Sequence, residues 1–188
     1  APAKGAGLEG ATPDGGGPVA KVPAAERLYD WAIGLFREAE RAGGKGTWTL
    51  VDAAFERAAL AGEPRAWVGQ ARAALAAGRI PEAGEALRRA VEAGAPPYMV
   101  AYWSAHVDLQ QGEFARAIAG FRAVSRTAFP DAAKVGYDFS RDDRVLADMA
   151  TALWERSRQL RGDGSAAERE ALLAEAEASC RAALALDS

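Results

Sequence analysis

The chain has 188 residues, of which 49% are apolar and 26% charged, a composition of globular rather than disordered protein, with room for one cored domain or a short array of repeats. Its 23 Lys and Arg stand against 26 Asp and Glu, for a net charge of −3 without long runs of one sign, which argues against a nucleic-acid or anionic-membrane surface. No apolar stretch approaches the ~20 residues that span a bilayer, and the single cysteine, Cys180, excludes an internal disulfide.

Residues 1–23, APAKGAGLEGATPDGGGPVAKVP, hold six glycines and four prolines. Nothing in them repeats at a spacing that would bury a face, so an extended or disordered Gly/Pro-rich N-terminal tail is expected. Gly5, Gly7 and Gly10 stand in G-x-G-x-x-G spacing. The dinucleotide fingerprint needs a strand before it and a helix after it, whereas here Pro13 and further loop formers follow, and no phosphate site is expected. The sequence opens on Ala1 and small residues, the kind of start left by removal of a secretory signal. An extracytoplasmic protein, periplasmic or extracellular, is expected on that ground.

From Ala24 the pattern turns helical. Leu28, Ala32, Leu35, Phe36 and Ala39 recur at helical spacing and predict one apolar stripe. The break at Gly43–Gly46 ends that helix. Thr49, three residues before Asp52, reads as a variant capping box for a second helix running through Ala61. Gly62 and Pro64 stop it. A third helix is expected from Arg65 to Ala77, and a fourth with Pro81 and Glu82 in its first turn, ending at the AGAPP stretch. Tyr98–Gln111 and Glu113–Thr127 form a further pair around Gly112, then 144–160 and a final helix capped by Ser165 and Glu168 complete the chain. No alternating strand pattern of useful length occurs, so the fold expected is all-α.

Aligning the helix-breaking glycines exposes a register. Gly78 and Gly112, Ala83 and Ala117, and Leu87 and Phe121 are each 34 residues apart. The same register relates Trp67 to Ala101, Ala71 to Ala105, Ile80 to Phe114 and Ala90 to Val124. A looser unit containing Ala39, Gly46, Trp48, Val51, Phe55 and Ala58 precedes them at a spacing of 32, and the closing segment CRAALALDS places Ala176, Cys180 and Ala183 at core positions. A period of this length belongs to stacked helical hairpins that cannot bury their faces singly.

These residues resemble the tetratricopeptide repeat family. The resemblance implies a right-handed stack of about four antiparallel helical hairpins, in residues 24–62, 65–95, 98–128 and 143–188, behind the tail of residues 1–23. The two halves of the last unit lie about 14 residues further apart than in the family's pattern, which would lengthen each helix by roughly two turns. Gln70 and the small Ala101 also depart from that pattern. The connector and helix VGYDFSRDDRVLADMATALWERSRQLRG are similar, more weakly, to such repeats in bacterial extracytoplasmic proteins that carry multihaem cytochrome c domains. With no C-x-x-C-H, this chain cannot itself attach c-type haem.

Catalytic constellations are hard to find. Cys180 is the only thiol and His106 the only histidine, so no multi-histidine metal site exists and any triad would have to use His106. Carboxylate pairs occur at Asp142 and Asp143 and along the last helix, where Glu168, Glu170, Glu175 and Glu177 read as mostly solvated; general acid–base work would need a pocket, which the sequence does not show. Trp48, Trp67 and Trp154 read as packing residues, while Trp31 and Trp103 read as exposed contacts. No enzyme activity, cofactor or metal is expected.

The resemblance places the functional surface on the first helix of each hairpin. Carried over position by position, that surface comprises Phe36, Val68, Arg72, Leu75, Tyr102, His106 and Leu109, a mixed apolar and aromatic groove with Arg72 as its cation. The expected function is a protein-interaction scaffold or adaptor that binds a peptide or helix of a partner. The alternative is a structural subunit of an extracellular or envelope filament, associated with a multihaem cytochrome, in which the tail packs on a neighbouring copy.

Overall fold

In the computed structural model the described residues are 22–43, 47–134, 136, 138–161 and 165–186. The tail with its Gly5, Gly7 and Gly10 spacing and most of the 43–46 break lie outside them. Among the described residues there is no strand, and nine α-helices are present: α1 (Ala24–Arg41), α2 (Trp48–Leu60), α3 (Arg65–Ala76), α4 (Ile80–Glu92), α5 (Pro97–Gln110), α6 (Phe114–Arg126), α7 (Pro130–Lys134), α8 (Asp143–Gln159) and α9 (Ala166–Leu186). A 3-10 turn, Phe139–Arg141, precedes α8. No helix among these residues is long and apolar enough to cross a membrane.

The helix ends follow from backbone chemistry. At the end of α3, Gly78 takes φ +74°, and its N–H donates to the Leu75 carbonyl (2.9 Å) while that of Arg79 donates to Ala74 (2.8 Å). Gly112 repeats this after α5 at φ +78°, with bonds to Leu109 (3.1 Å) and from Glu113 to Asp108 (2.9 Å). This paired closure satisfies the last carbonyls of a helix and needs a left-handed residue, which glycine supplies without strain.

Helices pack in consecutive pairs: α1 with α2, α3 with α4, α5 with α6, and α8 with α9. Each pair also meets the next through α2 and α3, α4 and α5, and α6 and α8, while α1, α3, α5 and α8 touch one another in series. The interior is divided into three clusters, built on Phe36, Val51 and Phe55, on Val68, Ala83, Leu87 and Ala90, and on Phe121, Val124, Val145 and Leu153. Burying a ring such as Phe55 or Phe121, each fully buried, contributes on the order of 2–3 kcal/mol. The small residues set the spacing. A Cβ built on Gly120 of α6 would lie 2.7 Å from the Ala105 Cβ of α5, so these helices meet almost backbone to backbone.

The register read from sequence fits what is buried: Ala71 and Ala105, Ala83 and Ala117, Leu87 and Phe121, and Ala90 and Val124 are all interior. The last pair is long, with 17 residues in α8 and 21 in α9. Three expectations are corrected. Thr49 and Asp52 do not cap α2, because the helix starts at Trp48 after Thr47 and the Asp52 carboxylate is taken by Arg79 across the α2–α3 contact. Cys180 is exposed: the α9 stripe runs through Leu172, Ala176, Ser179 and Ala183, and Cys180, one residue beyond Ser179, is turned about 100° away. Trp154 is 48% exposed, since its neighbour Leu153 takes the interior position and Arg158 covers the indole at 4.7 Å.

Candidate functional site

The series α1, α3, α5 leaves a cleft of about 560 Å³, closed at one end by the 3-10 turn and the start of α8. Its walls are ring-rich: Tyr29 and Phe36 from α1, Tyr98, Tyr102 and Trp103 from α5, and Phe139 from the turn. Between the walls stand Arg37 of α1, Arg65 and Arg72 of α3, and Arg144 of α8, with Asp30 and Asp142 as the acidic lining.

Arg72 joins three helices. Its guanidinium lies 4.5 Å from the Phe36 centroid and 5.1 Å from that of Trp103, so α3 is fastened to α1 and α5 by cation–π contact worth about 1–2 kcal/mol in this half-buried setting. Arg65 sits over Tyr29 at 4.7 Å and is oriented by a bidentate pair to Glu63, at 2.7 and 2.8 Å. Hydrogen bonding from Arg65, against the opposing effect of burial, holds the Glu63 carboxyl below its usual range.

On the α5 side the rings continue into a cluster. Tyr102 stacks on Phe139 at 6.4 Å and meets Trp103 edge-on at 5.0 Å, while Tyr98 lies 5.8 Å from Phe139 and 6.2 Å from Phe129. These separations fall within the attractive range for aromatic pairs. Asp148 of α8 ties the cluster down: it accepts from the Tyr102 hydroxyl at 2.8 Å, and His106 Nδ1 lies 3.2 Å from the same oxygen. Burial, and then the Asp148 charge, pushes the Tyr102 phenol well above its ordinary range, so it stays protonated as the donor.

At the mouth, Asp142 caps α8, accepting from the Arg144 backbone N–H at 3.0 Å and from its guanidinium at 3.1 and 2.8 Å. Burial pushes the Asp142 carboxyl up, but the Arg144 bonds and charge outweigh it and hold the group below the usual carboxylate range.

Of the residues expected from sequence, Phe36, Arg72 and Tyr102 meet in this cleft. His106 stands behind the wall, 5.5 Å from the Trp103 ring, and serves the Asp148 network. Leu75 is half-buried against the α3–α4 cluster. Val68 and Leu109 are corrected: both are interior, at 0% and 8% exposure, in different clusters. Trp103 is half-buried in the wall rather than an exposed contact, whereas Trp31 is 48% exposed. The residues missed on the first helices had a readable signal, because Tyr29 precedes Phe36, and Arg65 precedes Arg72, by seven residues, two turns along one face. Phe139 had none, since the chain brings it in from a connector without periodicity, and nothing in the helical pattern of α8 pointed its N-terminal Asp142 and Arg144 towards α1 and α3.

Among the described residues no group of three or more His, Cys, Asp or Glu side chains could hold a metal ion. The arrangement offers aromatic faces, guanidinium donors and one half-buried hydrogen-bond network, which are means of holding a ligand. The class defined here is an all-helical assembly of consecutive packed pairs with a ring-and-arginine cleft along its first helices. No family model matches the chain, and neither a curated protein nor a solved structure does.

Proposed function

We propose that this chain is a protein-interaction module of tetratricopeptide type, a right-handed stack of helical hairpins that holds a peptide segment of a partner along α1, α3 and α5. The observation that carries the reading is the cleft itself: it runs across three consecutive first helices, and its walls are Tyr, Trp and Phe interleaved with Arg. Those residue types dominate the energetic centres of protein interfaces, because they combine large contact area with directed polar groups at small entropic cost. The recurrence of one closure at Gly78 and Gly112 and the serial contacts of α1, α3, α5 and α8 support the stacked-hairpin form.

The test is a titration of the isotopically labelled full chain with peptides selected from a random library. Binding should shift amide signals along α1, α3 and α5. Trp103→Ala should weaken it by roughly thirtyfold, the loss of one interface hot spot, with helix content retained. Selected peptides that bind Trp103→Ala as tightly as the unaltered chain would sink the proposal.

A further inference from the structure

Three helices close on a left-handed glycine: α1 at Gly43, α3 at Gly78 and α5 at Gly112, with φ of +68°, +74° and +78°. Counting back to the same three places before each glycine picks out one face of each helix. In α3 that face is Ala66, Gly69 and Ala73, all buried on the side of α2, with Gly69 against the Phe55 ring. In α5 it is Val100, Trp103 and Val107, packed into the cluster of α3 and α4. In α1 it is Trp31, Gly34 and Glu38, and all three are exposed. Trp31 is 48% exposed, and a Cβ added to Gly34 would meet nothing within 4 Å. The face that seals α3 and α5 to the helix before them is open on α1.

A surface of the kind that covers such a face stands on α9. Val51, Phe55 and Ala58 inside α2, and Ala117, Phe121 and Val124 inside α6, have the spacing of Leu172, Ala176 and Ser179 on α9. Three residues before Phe55, Asp52 crosses to Arg79 beyond α3. Three before Phe121, Ile118 is buried in the cluster that α6 shares with α8. Three before Ala176 comes Leu173, which is 41% exposed on one flank with Leu184, 71% exposed.

We infer that the α9 flank of one copy docks on the α1 face of a second copy, continuing the α2–α3, α4–α5 and α6–α8 seams from one molecule into the next. α2 runs antiparallel to α3, since Asp52 near its start pairs with Arg79 beyond the end of α3. Laid on α1 in that sense, with Ala176 opposite Gly34 as Phe55 is opposite Gly69, α9 places Trp31 between Leu173 and Leu184 and Glu170 beside Arg41. Large meets small in both seams, with the roles exchanged: Phe55 fills the notch of Gly69 inside a molecule, and Trp31 covers Ala176 between molecules. The two helices are long, 18 residues in α1 and 21 in α9, so each offers the other about five turns. Because the two faces differ, the contact is heterologous and each copy keeps one face for a further copy. The inference does not rest on the cleft, whose α1 rings Tyr29 and Phe36 lie on the other side of that helix.

The experiment is sedimentation of the full chain at concentrations up to roughly 1 mM, since one helix pair buries less than a standard interface. The average mass should climb past that of a dimer as concentration rises. Trp31→Glu and Leu173→Glu should each weaken association at least tenfold and remove the climb, with helix signal retained because both side chains are exposed. An equimolar mixture of the two variants should form a dimer and stop there, since only one sound α1 face and one sound α9 flank remain to meet. An unaltered chain that stays monomeric overturns the inference, as does a mixture that stays monomeric. A dimer of either variant alone makes the contact isologous and overturns it too. So does assembly that survives both substitutions, whether or not it is lost on removal of residues 1–23.

Discussion

Gly69→Ala should destabilise the protein, although the same change ordinarily strengthens a helix. Alanine is favoured over glycine in a helix interior by about 1 kcal/mol. A Cβ on Gly69 of α3, however, would lie 2.2, 2.5 and 2.6 Å from Cε1, Cδ1 and Cζ of Phe55 on α2. Carbon atoms rest at about 3.5–4.0 Å, so the ring must retreat by more than 1 Å. It has nowhere to go, being fully buried with Tyr29 at 6.1 Å and Phe36 at 6.3 Å. Overpacking of this kind costs about 3 kcal/mol, which leaves a net loss near 2 kcal/mol and a melting point lower by roughly 4–8 °C for a chain of this size. Gly34 and Gly84, helical glycines with nothing within 4 Å of an added Cβ, are the controls. Gly34→Ala and Gly84→Ala should each gain about 0.5–1 kcal/mol. Urea unfolding followed by circular dichroism reads all three, and Phe55→Leu in the Gly69→Ala background should recover part of the loss by making room. If Gly69→Ala melts at or above the unaltered chain, the packing argument for the α2–α3 contact is wrong.

Tyr102→Phe and Asp148→Ala should each cost about 1–2 kcal/mol through the shared hydrogen bond. The double variant should lose about 1 kcal/mol less than their sum, and strict additivity in denaturant titrations would break the link drawn between α5 and α8. Asp142 has its folded pKa below the unfolded value, so its contribution is present above the ordinary carboxylate range near pH 4 and disappears as pH falls through the depressed folded value. Asp142→Asn should therefore show a smaller loss of stability between pH 4 and 2 than the unaltered chain, and equal losses in thermal melts would contradict the sign. Cys180, exposed on α9, should react fully with a thiol reagent in the native protein without loss of helix signal. Protection until denaturant is added would return it to the interior.

Much of the architecture was legible because glycine, proline and alanine carry positional meaning in this chain. Gly78 and Gly112 mark helix ends, and the 34-residue step predicts which alanines turn inward. The side chains within a helix were harder to orient. In α3, Ala66, Val68, Gly69, Ala71, Ala73 and Ala74 are all buried, because the helix is wedged among α1, α2, α4 and α5. With nearly every face covered, no polar stripe distinguishes cleft from interior, and Val68 was assigned to the wrong side. Cys180 failed for the opposite reason: α9 is covered on one side only, and a stripe drawn one residue late points at solvent. The cleft's far wall depends on where the connector folds back. Phe129 and Phe139 are ten residues apart, yet their rings lie 5.9 Å from each other, a meeting made by tertiary docking and invisible to periodicity.

The three separate clusters have a mechanical consequence. A single-centred core shares any load across most of its contacts, whereas here the buried side chains form three groups joined through shared helices, α3 sending Ala66 and Ala73 into one and Val68, Ala71 and Ala74 into the next. Tension applied at the two ends would be borne by the α2–α3, α4–α5 and α6–α8 seams in sequence, and the weakest would part while the others held. Extension would then proceed as a staircase of small yields, with Arg72, anchored on both Phe36 and Trp103, delaying the first step at the middle of the molecule.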